Sequence, residues 1–217
     1  MDQFNLTRIL EYLPGIILGL TVHEASHAYV SQLCGDTTSK EMGRVSLNPL
    51  RHIDPLGFIM LIVAGFGWAK PVQFNELNLK HPRADVIKIA AAGPLSNALL
   101  AILLSFIYTL TGHFGPGYHT SSMLIVENIF MYGIYINWGL FVFNLIPVPP
   151  LDGSHLLLTF FRRFPVIYEG LYKYGSYLFF ALILVMIISG INLIPIAPAV
   201  RFLGDGVLSV FIRLIHG

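Results

Sequence analysis

The hydrophobic positions of this chain fall in long blocks rather than in short alternating runs. Three blocks, residues 86–111, 123–145 and 176–198, reach the about 20 apolar residues that a helix needs to cross a bilayer. A fourth, 13–33, is apolar at its start and then interrupted by His23, Glu24 and His27. A fifth, 56–66, is too short to cross and reads as a re-entrant or half-inserted segment. Pro71 forbids regular helix in the following stretch, 68–74, which is therefore expected to be an extended strand or loop. Irregular backbone at membrane depth survives only against protein or a wet cavity, so this stretch should line something. The block 200–215 carries Arg201, Asp205 and Arg213 among apolar residues and suits an interfacial helix. The pattern predicts an all-α polytopic membrane protein, a bundle of about four to five transmembrane helices with a re-entrant or extended segment. We expect one membrane-embedded domain over residues 1–217, with a core at 13–160 and additional helices at 161–217.

Composition supports lipid as the solvent. Charged residues make up 12% of the chain, against roughly 25% in a soluble domain, and 55% of residues are apolar. The net charge of +1, with no basic tract and no RNA- or DNA-binding motif, argues against a nucleic-acid partner. The single cysteine, Cys34, excludes an intrachain disulfide and reads as a small buried residue at a helix end. Only Arg8 is basic before the first apolar run, so that run is expected to be retained rather than cleaved as a signal. Lys and Arg concentrate in 34–85 and 146–175 and are missing from 112–122. If 56–66 does not cross, both basic segments lie on the cytoplasmic side. The ends of the 13–33 and 123–145 blocks then meet on that side.

Those two ends carry the candidate chemistry. Residues 23–27 read His-Glu-Ala-Ser-His, and histidines at i and i+4 share one face of a helix. That spacing lets both imidazoles bind one zinc ion, with Glu24 placed as general base. Three ionisable groups within five residues of one span are costly in a membrane, and a coordinated metal offsets that cost. Buried, hydrogen-bonded histidines are the competing explanation. A catalytic zinc usually has three protein ligands and one open position. The best source of the third is 144–153, where Pro147, Pro149 and Pro150 hold the backbone extended and Asp152 is the sole carboxylate. Gly153 permits a close approach. Asp152 also stands where it can cap a helix starting near Ser154, and the two roles are compatible.

The pairing of a His-Glu-x-x-His helix with Asn144-x-x-Pro-x-x-x-Leu-Asp-Gly153 resembles the site-2 protease family of intramembrane metalloproteases. The resemblance covers roughly residues 13–160 and is closest to the compact bacterial and archaeal members. Ala92-Gly-Pro-Leu-Ser-Asn97 resembles the Gly-Pro helix of that family. The resemblance implies zinc ligands at His23, His27 and Asp152, Glu24 as catalytic acid/base, and Asn144 as a group that helps bind the reacting carbonyl. It implies one zinc ion per chain, transmembrane segments of other proteins as substrates, and a membrane protein; with the apolar blocks and the Lys and Arg placement, the expectation is a multi-pass cell-membrane protein with its site nearer the cytoplasm. Neither a spanning helix ahead of the metal helix nor an appended PDZ-like or nucleotide-sensing domain is expected. Oligomeric state is left open.

Other readings compete. A membrane metal-binding or transport protein would use the histidine pair and Asp152 but have no need of Glu24; a proteolytically inactive homologue would bind membrane proteins without cutting them. The amide of Asn144 has a helix-packing hydrogen bond as its alternative role. His52 reads equally as a neighbour of the site mouth or as part of a loop of two proline-delimited turns. His155 reads as a solvated interfacial histidine, with support of a metal ligand as the alternative. Glu127, Asn128 and Asn137 are expected to make helix–helix hydrogen bonds. Residues 56–75 can pair with an extended substrate by strand addition.

Overall fold

A computed structural model describes residues 6–64, 67–111, 121–190 and 195–217. These form eight α-helices: α1 (Leu6–Cys34), α2 (Thr38–Glu41), α3 (Pro55–Ala64), α4 (Pro82–Leu110), α5 (Ser121–Asn144), α6 (Gly153–Phe161), α7 (Pro165–Ser189) and α8 (Ile196–His216). There is no β-strand among the described residues, only an isolated antiparallel bridge between Ile53 and Ala69. The chain is all-helical, and two helical stretches, Pro82–Leu110 and Met123–Asn144, are by length and composition sufficient to cross a membrane. At 29 residues α4 is about 44 Å long, more than the roughly 30 Å hydrocarbon core.

Helices α1, α4 and α5 pack on one another and form the centre of the molecule. Small residues let them approach: a Cβ added to Gly15 of α1 would stand 2.8 Å from the Cα of Gly133 of α5. Away from the histidines, the packing is apolar, around Ala101, Ile134, Trp138 and Leu208. Hydroxyls buried in these helices turn back on their own backbone, Ser105 to the carbonyl of Ala101 and Thr109 to that of Ser105. Asn128 donates to Glu11 and Asn137 sits fully buried between helices, as expected for both.

Two elements differ from the sequence expectation. The helix expected at 176–198 lies instead at Pro165–Ser189. Pro165 begins it and Gly190, at φ 69°, ends it in the left-handed region that glycine tolerates best. The C-terminal segment does not lie across the end of the bundle. It packs lengthwise on α4 and α5, with Phe211 against Phe106 and His216 bonded to the Thr109 carbonyl. Of its charges, Asp205 accepts a hydrogen bond from the Tyr135 hydroxyl, and Arg201 and Arg213 are exposed. Residues 65–66 of the short fifth block lie outside the described residues, and the rest of it is the ten-residue α3.

The stretch after α3 is not helical, as Pro71 demands. Its backbone is pinned from one end to the other. Lys70 N donates to His52 O at 2.7 Å, Gln73 O accepts from the Ser39 hydroxyl, and Lys80 N donates to Cys34 O at 3.0 Å. Asp36, fully buried just after α1, accepts from Ser31, from the amide and hydroxyl of Thr38, from Asn75 N and from the Asn78 amide. Burial pushes this carboxyl up, but the hydrogen bonds of Thr38, Asn78 and Asn75 outweigh it and leave its pKa at about 2 against an ordinary 3.8.

Candidate metal and catalytic site

His23 and His27 project from one turn of α1 with their Nε2 atoms 3.0 Å apart. Each ring is gripped by its other nitrogen. His23 Nδ1 lies 2.6 Å from Asn97 Oδ1, and His27 Nδ1 lies 2.6 Å from the carbonyl oxygen of Ile89. A carbonyl oxygen only accepts, so both Nδ1 atoms carry the proton. For His23 this rests on the orientation of Asn97, which the surrounding bonds determine. Its Nδ2 donates to Gly19 O at 3.0 Å and to Asn137 Oδ1 at 2.9 Å, while Asn137 Nδ2 donates to Gly133 O at 2.8 Å. The network ends on main-chain carbonyls, so neither amide can flip without loss.

With Nδ1 protonated, a neutral imidazole turns a bare lone pair out through Nε2. The two lone pairs face each other and the carboxylate of Asp152, at 3.1 Å from His23 Nε2 and 3.4 Å from His27 Nε2. Asp152 Oδ2 is buried and accepts no hydrogen bond. Three mutually facing acceptors repel one another unless a cation stands between them. The spacings fit one: ligand atoms of a tetrahedral site with bonds of about 2.0–2.1 Å stand roughly 3.3 Å apart. Among the described residues, His23, His27 and Asp152 are the group of three whose donor atoms gather closely enough to hold a metal ion, all within 4.8 Å of one another.

Asp152 reaches this point from the far end of α5. The chain leaves α5 at Asn144, turns through the proline stretch and returns to start α6 at Gly153. A Cβ on Gly153 would stand 2.6 Å from the carbonyl carbon of Leu145, so the return is closed too tightly for a side chain. Asp152 occupies the N-cap position of α6, but its side chain makes no capping bond, because the carboxylate turns to the histidines. The capping role is therefore not used. Gly93 of α4 lies on the other side. A Cβ there would meet the Cε1 atoms of His27 and His23 at 2.6 and 2.7 Å. Only a glycine lets α4 press its backbone against the imidazole pair.

Glu24 is buried beside the pair, and its Oε2 accepts from Val72 N at 3.0 Å. The extended stretch thus meets the site directly. A cavity of about 360 Å³ opens here, lined by both histidines, Glu24, Asn144, Asp152 and His155, with Val72 and Phe74 on the extended side. Asn144 Nδ2 donates to Leu140 O of its own helix at 3.0 Å, a bond within α5 and not between helices, and the second hydrogen of that amide remains for the cavity. His155 is half-buried at the cavity wall; it packs at a tilt on Phe74, and burial holds its pKa below the ordinary value. His52 does not line this cavity. It is buried under the loop, bonded through Nε2 to Ser46 O, and its carbonyl anchors Lys70. In the sequence Asn97 and Gly93 stand only as parts of a helix motif, although an asparagine inside an apolar span signals a polar partner.

The sequence profile described as Peptidase family M50 matches residues 12–186. YwhC of Bacillus subtilis (strain 168), whose name proposes a zinc metalloprotease, is 40% identical over 161 residues, 72% of this chain and 73% of its own length. Rip2 of Mycolicibacterium smegmatis, named in the same way, is 31% identical over 150 residues, 65% of this chain and 53% of its own. MJ0611 of Methanocaldococcus jannaschii, also so named, is 38% identical over 102 residues, 47% of this chain and 49% of its own. The matches thus cover about half the length of these last two relatives. No solved structure matches the chain significantly. With its paired motifs folded into one site, the chain belongs to peptidase family M50, the site-2 protease family of metallopeptidases.

Proposed function

We propose that this protein is a zinc-dependent endopeptidase that cuts transmembrane segments of other membrane proteins, with its site nearer the cytoplasmic face. The observation that carries this reading is the convergence of three bare acceptor atoms beside a buried glutamate in one cavity. His23, His27 and Asp152 would hold the ion, and the cavity beside them would leave room for water and substrate. When bound, zinc supplies Lewis acidity, which polarises the scissile carbonyl and acidifies water. Glu24 takes a proton from the attacking water as its oxygen bonds to the carbonyl carbon. It then delivers that proton to the amine nitrogen as the C–N bond breaks. The free hydrogen of the Asn144 amide donates to the oxyanion, a contribution of about 3 kcal/mol in comparable sites.

A helical substrate has its amides satisfied internally and must unwind before its carbonyl is reached. The extended stretch through Val72, already bonded to Glu24, supports pairing with such an unwound strand. In this reading α1, α4, α5 and α7 cross the bilayer and α8 accompanies them, which gives four to five spans. Both basic segments leave the bundle at the end that holds the site, which supports a cytoplasmic placement.

The test is to purify the chain and Glu24→Gln in detergent, measure zinc, and assay cleavage of single-span substrates. About one zinc is expected in both proteins, with cleavage reduced at least about a hundredfold in the variant. Equal cleavage by the two would remove the assigned chemistry, and a transport protein would show no dependence on Glu24.

A further inference from the structure

A second cavity, of about 450 Å³, lies against the first and shares with it Leu20, Gly67, Trp68, Ala69, Leu140 and Phe143. Most of the rest of its wall comes from α1 at Ile16 and Ile17, α3 at Gly57, Phe58 and Leu61, and α5 at Ile136 and Gly139, with Ile53 and Ile196 beside them. No charged side chain and no histidine lines it among the described residues. The catalytic cavity, by contrast, is lined by two carboxylates, three imidazoles and an amide. A polar cavity, where the bond would be cut, thus lies beside an apolar one, with six wall residues in common.

Two backbone features keep the apolar part open. Gly57 packs directly on the Trp68 backbone, its added Cβ 3.0 Å from Trp68 N, so α3 and the extended stretch form one fixed wall. On the opposite wall, a Cβ added at Gly139 meets nothing within 4 Å. The α5 surface has a side chain missing where the cavity stands. Its volume is within the roughly 300–1,000 Å³ range of sites that bind small ligands.

Resting on the proteolytic reading above, we propose that this cavity is a substrate subsite. It receives a large aliphatic or aromatic side chain next to the scissile bond. The reason is the substrate's own chemistry. A transmembrane segment drawn open at Glu24 must put its carbonyl in a wet, polar space while its apolar side chains leave lipid. An apolar recess beside that space gives the adjacent side chain a place out of water. Leu, Ile and Phe fit the recess, whereas Ala or Ser next to the bond leaves it unfilled.

The experiment uses full-length protein and single-span peptides in which the residue on each side of the mapped cut is varied through Ala, Leu and Phe. At one of the two positions, wild-type protein should prefer Leu or Phe over Ala by roughly tenfold or more in kcat/KM. Gly139→Leu fills the recess and should collapse that ratio towards one. Phe58→Ala enlarges it and should shift preference towards the larger residue. Binding gives a readout independent of turnover: in Glu24→Gln, a photoreactive diazirine leucine at that position should label residues 58–61 and 136–140. Cleavage without side-chain preference, equal loss of all peptides in Gly139→Leu, or labelling elsewhere would overturn the subsite. A recess filled by a lipid chain would give the first of these results. Wild-type protein that cuts none of the peptides would overturn the proteolytic reading, and the subsite with it.

Discussion

The two ends of the α1–α4–α5 bundle use small residues in the same way and for different ends. Towards the N-terminus of α1, Gly15 faces Gly133 and brings two backbones together, beside apolar packing that includes Ile134 and Trp138. Two to three turns further along α1, Gly93 faces not a backbone but the imidazoles of His23 and His27. Asn97 and Asn137 fill the space between helices there with hydrogen bonds instead of methyl groups. Close approach at the first end gives packing; at the second it aims lone pairs. The first can be judged by stability alone, the second by what the site binds. Substitutions of similar size at the two ends should therefore separate.

Gly93→Ala should have the largest effect. Its methyl group must displace the imidazoles, since α4 backbone cannot move far against them, and zinc affinity should fall by about a hundredfold or more. Equilibrium dialysis with zinc measures this, and unchanged affinity would show that the rings are free to retreat. Ile134→Ala at the apolar end is the converse. It should cost about 2–5 kcal/mol of stability in detergent unfolding while leaving zinc affinity unaltered. Asn97→Ala falls between. It leaves His23 Nδ1 without its acceptor, so zinc should bind about 10–100-fold more weakly. Asn97→Asp keeps an acceptor for that nitrogen and should recover much of the loss. If both Asn97 variants bind zinc as well as wild type, the amide network does not orient the ring.

How far this contrast can be read from the sequence differs by residue. The histidine pair and Asp152 could be named because helical periodicity places the first two together and a proline break isolates the third. The spans at 86–111 and 123–145 were visible in the same way, as continuous apolar blocks. Asn97 and Gly93 carried no such pattern, because what gives them meaning is the facing helix, whose rotation no local periodicity specifies. The displacement of α7 to Pro165–Ser189 has a related cause. Its first eleven residues include Glu169 and Lys173, so hydropathy begins the helix late, whereas Pro165 and Gly190 mark its ends. α8 looked interfacial because Arg201, Asp205 and Arg213 count as charges in one dimension. Asp205 meets Tyr135 only in three.

The smallest effect in this series concerns the support of the extended stretch rather than the site itself. Asp36 ties Asn75 and Asn78 to the end of α1, three to six residues beyond the amide that meets Glu24. Its folded pKa of about 2 is below its ordinary 3.8, so the unfolded chain binds the proton more readily. The stabilisation is then complete above about pH 4 and is lost as pH falls from about 4 towards 2. A shift of that size corresponds to about 2 kcal/mol. Asp36→Asn should be less stable than wild type by up to this amount at pH 7, and the gap should close as the pH is lowered towards 2. Measuring both proteins without metal keeps the protonation of the zinc-site histidines from entering the difference. Hydrogen exchange at residues 70–79 places the effect: if Asp36 holds the stretch in position, the Val72 and Asn75 amides should exchange faster in the variant. A gap that stays constant with pH would mean that packing, and not the charge of Asp36, holds this stretch against Glu24.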